Sequence, residues 1–227
     1  MRAAATVHGL VLAAAALAAA AGEPTREELE RWLEDDAELR ALAVNEGELE
    51  FLPHPPDKPF HHQVNRIELR RASLEDGWVA LSQCHYNLDR VPKAQVVYGR
   101  ERTRRLRIDR FTGIGRAWVQ GPTVQLEDIG HGAVLCVRAE SRALRRDADG
   151  GWTLRNGPFM RRFLDGYYPM RVELDLRMPP GLLRLVSVDP PPQPGFRVDR
   201  APGRIRYDAV FEGRLVTELR FRRAGGS

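Results

Sequence analysis

The chain has 227 residues, 43% of them apolar and 29% charged, and its 35 Lys and Arg against 31 Asp and Glu leave a net charge of +4. That is enough chain for one large domain or two small ones with a sizeable core, and too mild a charge to argue for a nucleic-acid partner. Only Lys58 and Lys93 among the basic residues are lysine, so arginine abundance reads as GC-rich bacterial coding and carries little functional weight by itself.

The N-terminus reads as an address. Arg2, an Ala/Leu/Val run over residues 9–21 and the small residues Ala19–Ala21 before Gly22 have the layout of an export signal with its cleavage site. The run is short for a ~20-residue membrane span. No second apolar run follows it and no cysteine stands behind it to take a lipid. The expectation is a chain exported to the periplasm or beyond, cleaved near Ala21, soluble and not membrane-spanning. Without Arg2 the balance is 34 basic against 31 acidic residues, a net +3.

From Pro24 the pattern predicts one amphipathic helix within residues 22–50. Thr25 is its N-cap, Glu27 and Glu28 suit the first turn, and Leu29, Trp32, Leu33, Leu39 and Leu42 recur at helical spacing before Asn45–Gly47. A connector with four prolines, Phe51–His62, then forbids both helix and central strand.

Strand signals dominate afterwards. Ile67 and Leu69 alternate with Glu68 and Arg70, and apolar runs follow at Trp78–Tyr86, Gln95–Tyr98, Leu106/Ile108, Trp118-Val119, Val124/Leu126 and Ala133–Val137. Gly113, Gly115, Gly121-Pro122 and Gly130 punctuate them, and Asp147–Gly151 is a hairpin-type turn returning through Trp152. The last third alternates most cleanly, at Val172–Met178, Ile205–Phe211 and Leu215–Phe221. Many short strands, half-buried alternation and no βαβ pattern predict a mainly β fold: an antiparallel β-sandwich, Ig-like in style, one large or two small, behind one N-terminal helix. Residues 51–156 form the first β-rich region and 157–227 the second, with a candidate boundary at Asn156-Gly157-Pro158. A membrane barrel fits poorly, because the strands are short and their polar faces fully charged.

Two cysteines in an exported chain read first as a disulfide, so Cys84 and Cys136 are expected to be joined. His85 beside Cys84 does not make a nucleophile pair, because neighbours on a strand point to opposite faces. No serine-hydrolase elbow, P-loop, dinucleotide fingerprint or His-Glu-x-x-His occurs. Asp147-x-Asp149-Gly lacks the remaining ligands of a calcium loop. The carboxylate pairs Glu127/Asp128 and Asp175/Asp208 look like solvated strand faces, and no catalytic residue is assigned.

Three sets of residues could carry function. Arg100–Arg110 packs six arginines into eleven positions, and Arg104, Arg105, Arg107 and Arg110 on one strand could grip phosphate or carboxylate groups. Phe159, Arg161, Arg162, Tyr167 and Tyr168 mix aromatic rings with arginine between turn residues, which suits a binding edge. His54, His61, His62 and His85 could ligate copper or zinc, although their spacing is not a recognised ligand pattern and His61 and His62 would point to opposite sides if extended; His131 sits apart between two glycines. The sequence supports a non-enzymatic binding or accessory module of the bacterial periplasm, without cofactor, whose partner is another periplasmic protein or an anionic envelope component. A copper- or zinc-binding protein using the four histidines, and a hydrolase on a β-sandwich scaffold, are the alternatives.

Overall fold

The computed structural model describes Asn45 and residues 47–164 and 166–225. The expected export signal, and the expected helix as far as Val44, lie outside the described residues. Among the described residues no helix is long and apolar enough to cross a membrane.

The fold is mainly β, built from antiparallel-rich sheets, and it is not a barrel. Its strands are β1 (Glu50–Phe51), β2 (His62–Glu68), β3 (Trp78–Leu88), β4 (Lys93–Val97), β5 (Thr103–Gln120), β6 (Thr123–Arg142), β7 (Leu144–Arg146), β8 (Trp152–Phe159), β9 (Arg162–Phe163), β10 (Gly166–Tyr167), β11 (Met170–Arg177), β12 (Leu183–Asp189), β13 (Phe196–Ala201), β14 (Arg204–Glu212) and β15 (Leu215–Arg223). One helical turn, Ser73–Asp76, precedes β3. A nine-stranded sheet runs in the order β1-β14-β11-β2-β3-β6-β4, with β13 also on β14 and β5 also on β6. A four-stranded sheet has the order β12-β15-β8-β7, and β9 with β10 forms a small separate hairpin.

Alternation decides what each strand buries. On β2, Gln63, Asn65 and Ile67 are buried while Arg66 and Glu68 are exposed. β11 and β14 follow the same rule, with Val172, Leu174, Leu176, Ile205, Tyr207, Ala209 and Phe211 turned inward. These residues meet Leu144, Trp152, Leu154, Leu183, Leu215, Leu219 and Phe221 of the four-stranded sheet in one apolar cluster. Burying each of the large side chains there, such as Phe196, Phe211 and Phe221, contributes about 2–3 kcal/mol before the entropy of ordering is subtracted.

Two features depart from the expectation of short, wholly antiparallel strands. β2 and β11 run parallel, His62 against Arg171 through Glu68 against Arg177. β5 and β6 are single strands of 18 and 20 residues, respectively. Three of the glycines read as punctuation, Gly113, Gly115 and Gly130, sit inside them, while Gly121-Pro122 is the turn that joins them. Gly113, at φ +68, lies where the β5–β6 register shifts between Thr112 and Ile114, so it accommodates a bulge instead of ending the strand. The distal halves of these strands have their own core of Ile114, Val124, Leu126, Ile129, Ala133, Leu135 and Val137.

Cys84 and Cys136 are bonded to each other. They stand directly opposite in the β3–β6 ladder, with Cα atoms 4.1 Å apart. The bond closes a separation of 52 residues, which stabilises by about 4 kcal/mol in the chain-entropy account.

Candidate functional site

The apolar cluster claims one face of the nine-stranded sheet; the other, outer face carries charge. Ladder partners share a face, so the register lays out rows across the strands. One row runs Asp175, Arg66, Ser82, Arg138, Arg107 across β11, β2, β3, β6 and β5. The next runs Glu173, Val64, Cys84, Cys136, Arg110. On β3 the outward positions are Trp78, Ala80, Ser82, Cys84 and Tyr86, so small side chains lie between an aromatic ring at each end. Arginines stand on the strands to both sides of this strip.

At the β11–β14 end the charges are mutually satisfied. Arg171 donates from Nε and Nη2 to both oxygens of Asp208 at 2.9 and 2.7 Å and lies 3.0 Å from Glu173. The bond to Asp208 raises the Arg171 pKa. Asp175 accepts from Arg204 at 2.7 and 2.8 Å and from Arg177 at 2.9 Å, and these bonds, that to Arg204 foremost, hold its carboxyl down to about 2. Asp175 is therefore a clamped ion, unsuited to acid–base work, and Asp208 is engaged by both prongs of Arg171. Glu127 likewise faces Lys93 at 3.2 Å.

The arginine strand is divided. Arg104 and Arg105 both reach Glu140 at 2.6 Å, and the Arg104 bond is the first cause of the lowered Glu140 pKa. The Arg104 guanidinium also stacks 4.1 Å over Trp78. Arg107 and Arg110 are exposed, and among the described residues neither has a carboxylate within ion-pair distance; Arg66 across the strip shares that condition. Arg138 is held by Asp109 at 3.1 Å.

The aromatic stretch folds on itself. Phe159 is only 7% exposed and packs in the apolar cluster, so it belongs to the core and not to a contact surface. Arg161 makes a two-pronged pair with Asp89 and lies 5.7 Å over Phe163 and 5.4 Å over Tyr168. Arg162 lies 5.6 Å over Tyr167. Leu164, between β9 and β10, is fully exposed.

The histidines separate. His61 and His62 point to opposite sides, as adjacent residues entering a strand must. The His62 imidazole lies on the outer face, 3.0 Å from Glu173 but poorly aligned for a hydrogen bond, and burial lowers its pKa. His54 is exposed in the proline-rich segment. His61 turns inward, where its Nε2 meets Nδ1 of His85 at 3.0 Å. His85 Nε2 meets Gln83 Oε1 at 2.9 Å, and that oxygen also accepts from the Tyr98 hydroxyl at 2.7 Å. Gln83 and Gln63 both donate to Asn65 Oδ1, at 2.8 and 3.0 Å. Burial pushes the Tyr98 pKa up and holds His61 down to about 4 and His85 well below the ordinary imidazole value. Both imidazoles are neutral. The facing nitrogens bond each other, and among the described residues no group of three or more His, Cys, Asp or Glu side chains is arranged to hold a metal ion.

Sequence reasoning missed Gln63, Asn65, Gln83 and Tyr98 as partners of the histidines, and Arg66 as part of the outer face. The signal for the first three was present: polar side chains stand at the strand parity of Ile67 and Val79.

No family model matches this chain, and no curated protein matches it. Among solved structures, a two-domain M1 zinc metallopeptidase bound to L-tryptophan matches at 10% identity with a TM-score of 0.37, covering 78% of this chain and 43% of that one. A likeness at that score carries no argument about this protein.

Proposed function

We propose that this protein is a non-catalytic binding module of the bacterial periplasm, on a sandwich-type β scaffold, whose outer sheet face holds an anionic envelope polysaccharide along β3. The observation that carries this reading is the strip Trp78–Ala80–Ser82–Cys84–Tyr86, small in the middle and aromatic at its ends, with Arg66 on one side and Arg107 and Arg110 on the other lacking carboxylate partners among the described residues. Small side chains leave room for a chain to lie close to the sheet. Arginine forks suit the carboxylate or phosphate groups of such a chain, and the ring faces of Trp78 and Tyr86 left uncovered by Arg104 and His62 suit the apolar faces of sugar rings. From Trp78 to Tyr86 a strand spans about 27 Å, long enough for several sugar residues. The clamped carboxylates and the paired, neutral histidines favour binding over hydrolysis.

The test is calorimetric titration with polygalacturonate as the anionic chain and dextran as the neutral one. Polygalacturonate should bind, weaken steeply with salt, and lose on the order of tenfold in affinity in the Arg66→Glu/Arg107→Glu variant. Equal binding of dextran, or an unaffected variant, would sink the reading. Copper or zinc copurifying at stoichiometric level would instead move the site to His61 and His85.

A further inference from the structure

The proline-rich segment stands off the outer face as an arch. At its start the Leu52 N–H donates to the Val210 carbonyl at 2.8 Å; at its end the Arg171 N–H donates to the His61 carbonyl at 3.0 Å and Asn87 Nδ2 to the Phe60 carbonyl at 3.4 Å. Between these ties residues 53–59 make no backbone–backbone hydrogen bond among the described residues. Four of those seven residues, Pro53, Pro55, Pro56 and Pro59, have their φ locked by the ring. The ring-locked φ angles narrow the conformations open to this segment. Between it and the sheet lies an open groove of about 790 Å³, within the size range of small-molecule sites.

Its lining has two characters. The proline rings, Phe60 and Val210 are apolar, and prolines offer a ligand no N–H donor. The sheet side carries the Arg171–Asp208 pair, whose charges cancel. Two cations on the lining are left over. Lys58 has no ion-pair partner among the described residues. The nearest carboxylate to Arg197 is Asp199 at 3.6 Å, and both side chains are strongly exposed, which makes a weak pair. Only Asp57 opposes them from within the lining.

We propose that this groove is a binding site for a small molecule with an apolar ring or short chain and one anionic group, the body held against the prolines and Phe60 and the anion by Lys58 and Arg197. It goes beyond the polysaccharide reading: the binding residues and the ligand class differ, although His62 on the lining packs against Tyr86 at the end of the strip, and the charge-reversed positions are not shared, so either can fail alone.

Three probes with one body and three ends decide it: phenylbutyrate, phenylbutanol and phenylbutylamine, titrated calorimetrically into the full chain. Phenylbutyrate should bind saturably at one site, on the order of tenfold more tightly than the alcohol, with the amine weakest. The Lys58→Glu/Arg197→Glu variant should lose that preference on the order of tenfold while binding the alcohol unchanged. Both positions are exposed, so its urea midpoint should stay at the wild-type value, showing that the loss is not unfolding. A Val210→Trp variant, which sets a bulky ring on the apolar wall, should weaken the binding of all three. Equal binding of all three probes, no saturable binding of the acid, or an unchanged acid affinity in the charge-reversed variant would overturn the proposal, whatever polygalacturonate does.

Discussion

His61 and His85 meet nitrogen to nitrogen inside the fold, and their surroundings constrain their ionisation. Desolvation holds His61 down to about 4, with Asp89 pulling up and Arg161 and His62 pulling further down; His85 is lowered by burial and then by His61. An imidazole whose pKa falls on folding stabilises the native state fully above about 6.5, and that contribution is lost as pH falls toward the folded value. From His61 alone, lowering the pH from 7 to 5 should cost about 2 kcal/mol of stability, read as a drop in the urea midpoint. A His61→Gln variant, which cannot ionise, should flatten that slope, and an unchanged slope would show that the pair is not its source. Tyr207 gives a second prediction. Its hydroxyl, pushed up to about 12 by burial, accepts from Asn156 at 3.0 Å and Thr217 at 3.2 Å. Tyr207→Phe should strand the buried Thr217 hydroxyl and the half-buried Asn156 amide as donors and cost about 1–3 kcal/mol, measured by denaturant unfolding. At this scale the sequence exposed polar residues at core parity but not their partners. His61 and His85 are 24 positions apart, and nothing in the local pattern couples a residue of a proline-rich connector to one in the middle of a strand.

Among the elements, strands with one wet face were the most legible. Val172–Met178, Ile205–Phe211 and Leu215–Phe221 alternate in the sequence and alternate in the fold. The β5–β6 pair was least legible, since a glycine that opens a bulge and one that ends a strand look alike in a string of letters. That difference concealed how the arginines of β5 line up with Arg138 and, across β3, with Arg66. Gly213 between β14 and β15 does end a strand, and it allows a testable substitution. It sits at φ +81, and a Cβ there would lie 1.8 Å from the Glu48 carbonyl oxygen. Gly213→Ala should therefore cost about 2–4 kcal/mol, through both the left-handed backbone and displacement of the chain leading into β1. A melting temperature equal to wild type would contradict that geometry.

Over the whole molecule, the class of fold and the covalent link could be read in advance, while the topology could not. Two cysteines allow one intramolecular pairing, and both sat in apolar, strand-like runs. Reducing Cys84–Cys136 should lower the unfolding free energy by about 4 kcal/mol in the chain-entropy account, measured as the shift in urea midpoint with and without a phosphine reductant. A double Cys84→Ser/Cys136→Ser chain should match the reduced protein. The pairing of β2 with β11 was out of reach because a ladder across more than a hundred residues leaves no periodic trace.

The parallel ladder between β2 and β11 also sets an order of events. β11 sits between β2 and β14, so a chain emerging N-end first can zip β2 to β3 and β3 to β6 and still leave one edge of β2 open. That edge stays a row of unpaired amides and carbonyls until residues as late as Arg177 have appeared. Contacts so distant in sequence are slow to form, and open edges invite strangers. A nascent chain halted before Met170 would thus carry an adhesive seam that the finished protein has closed.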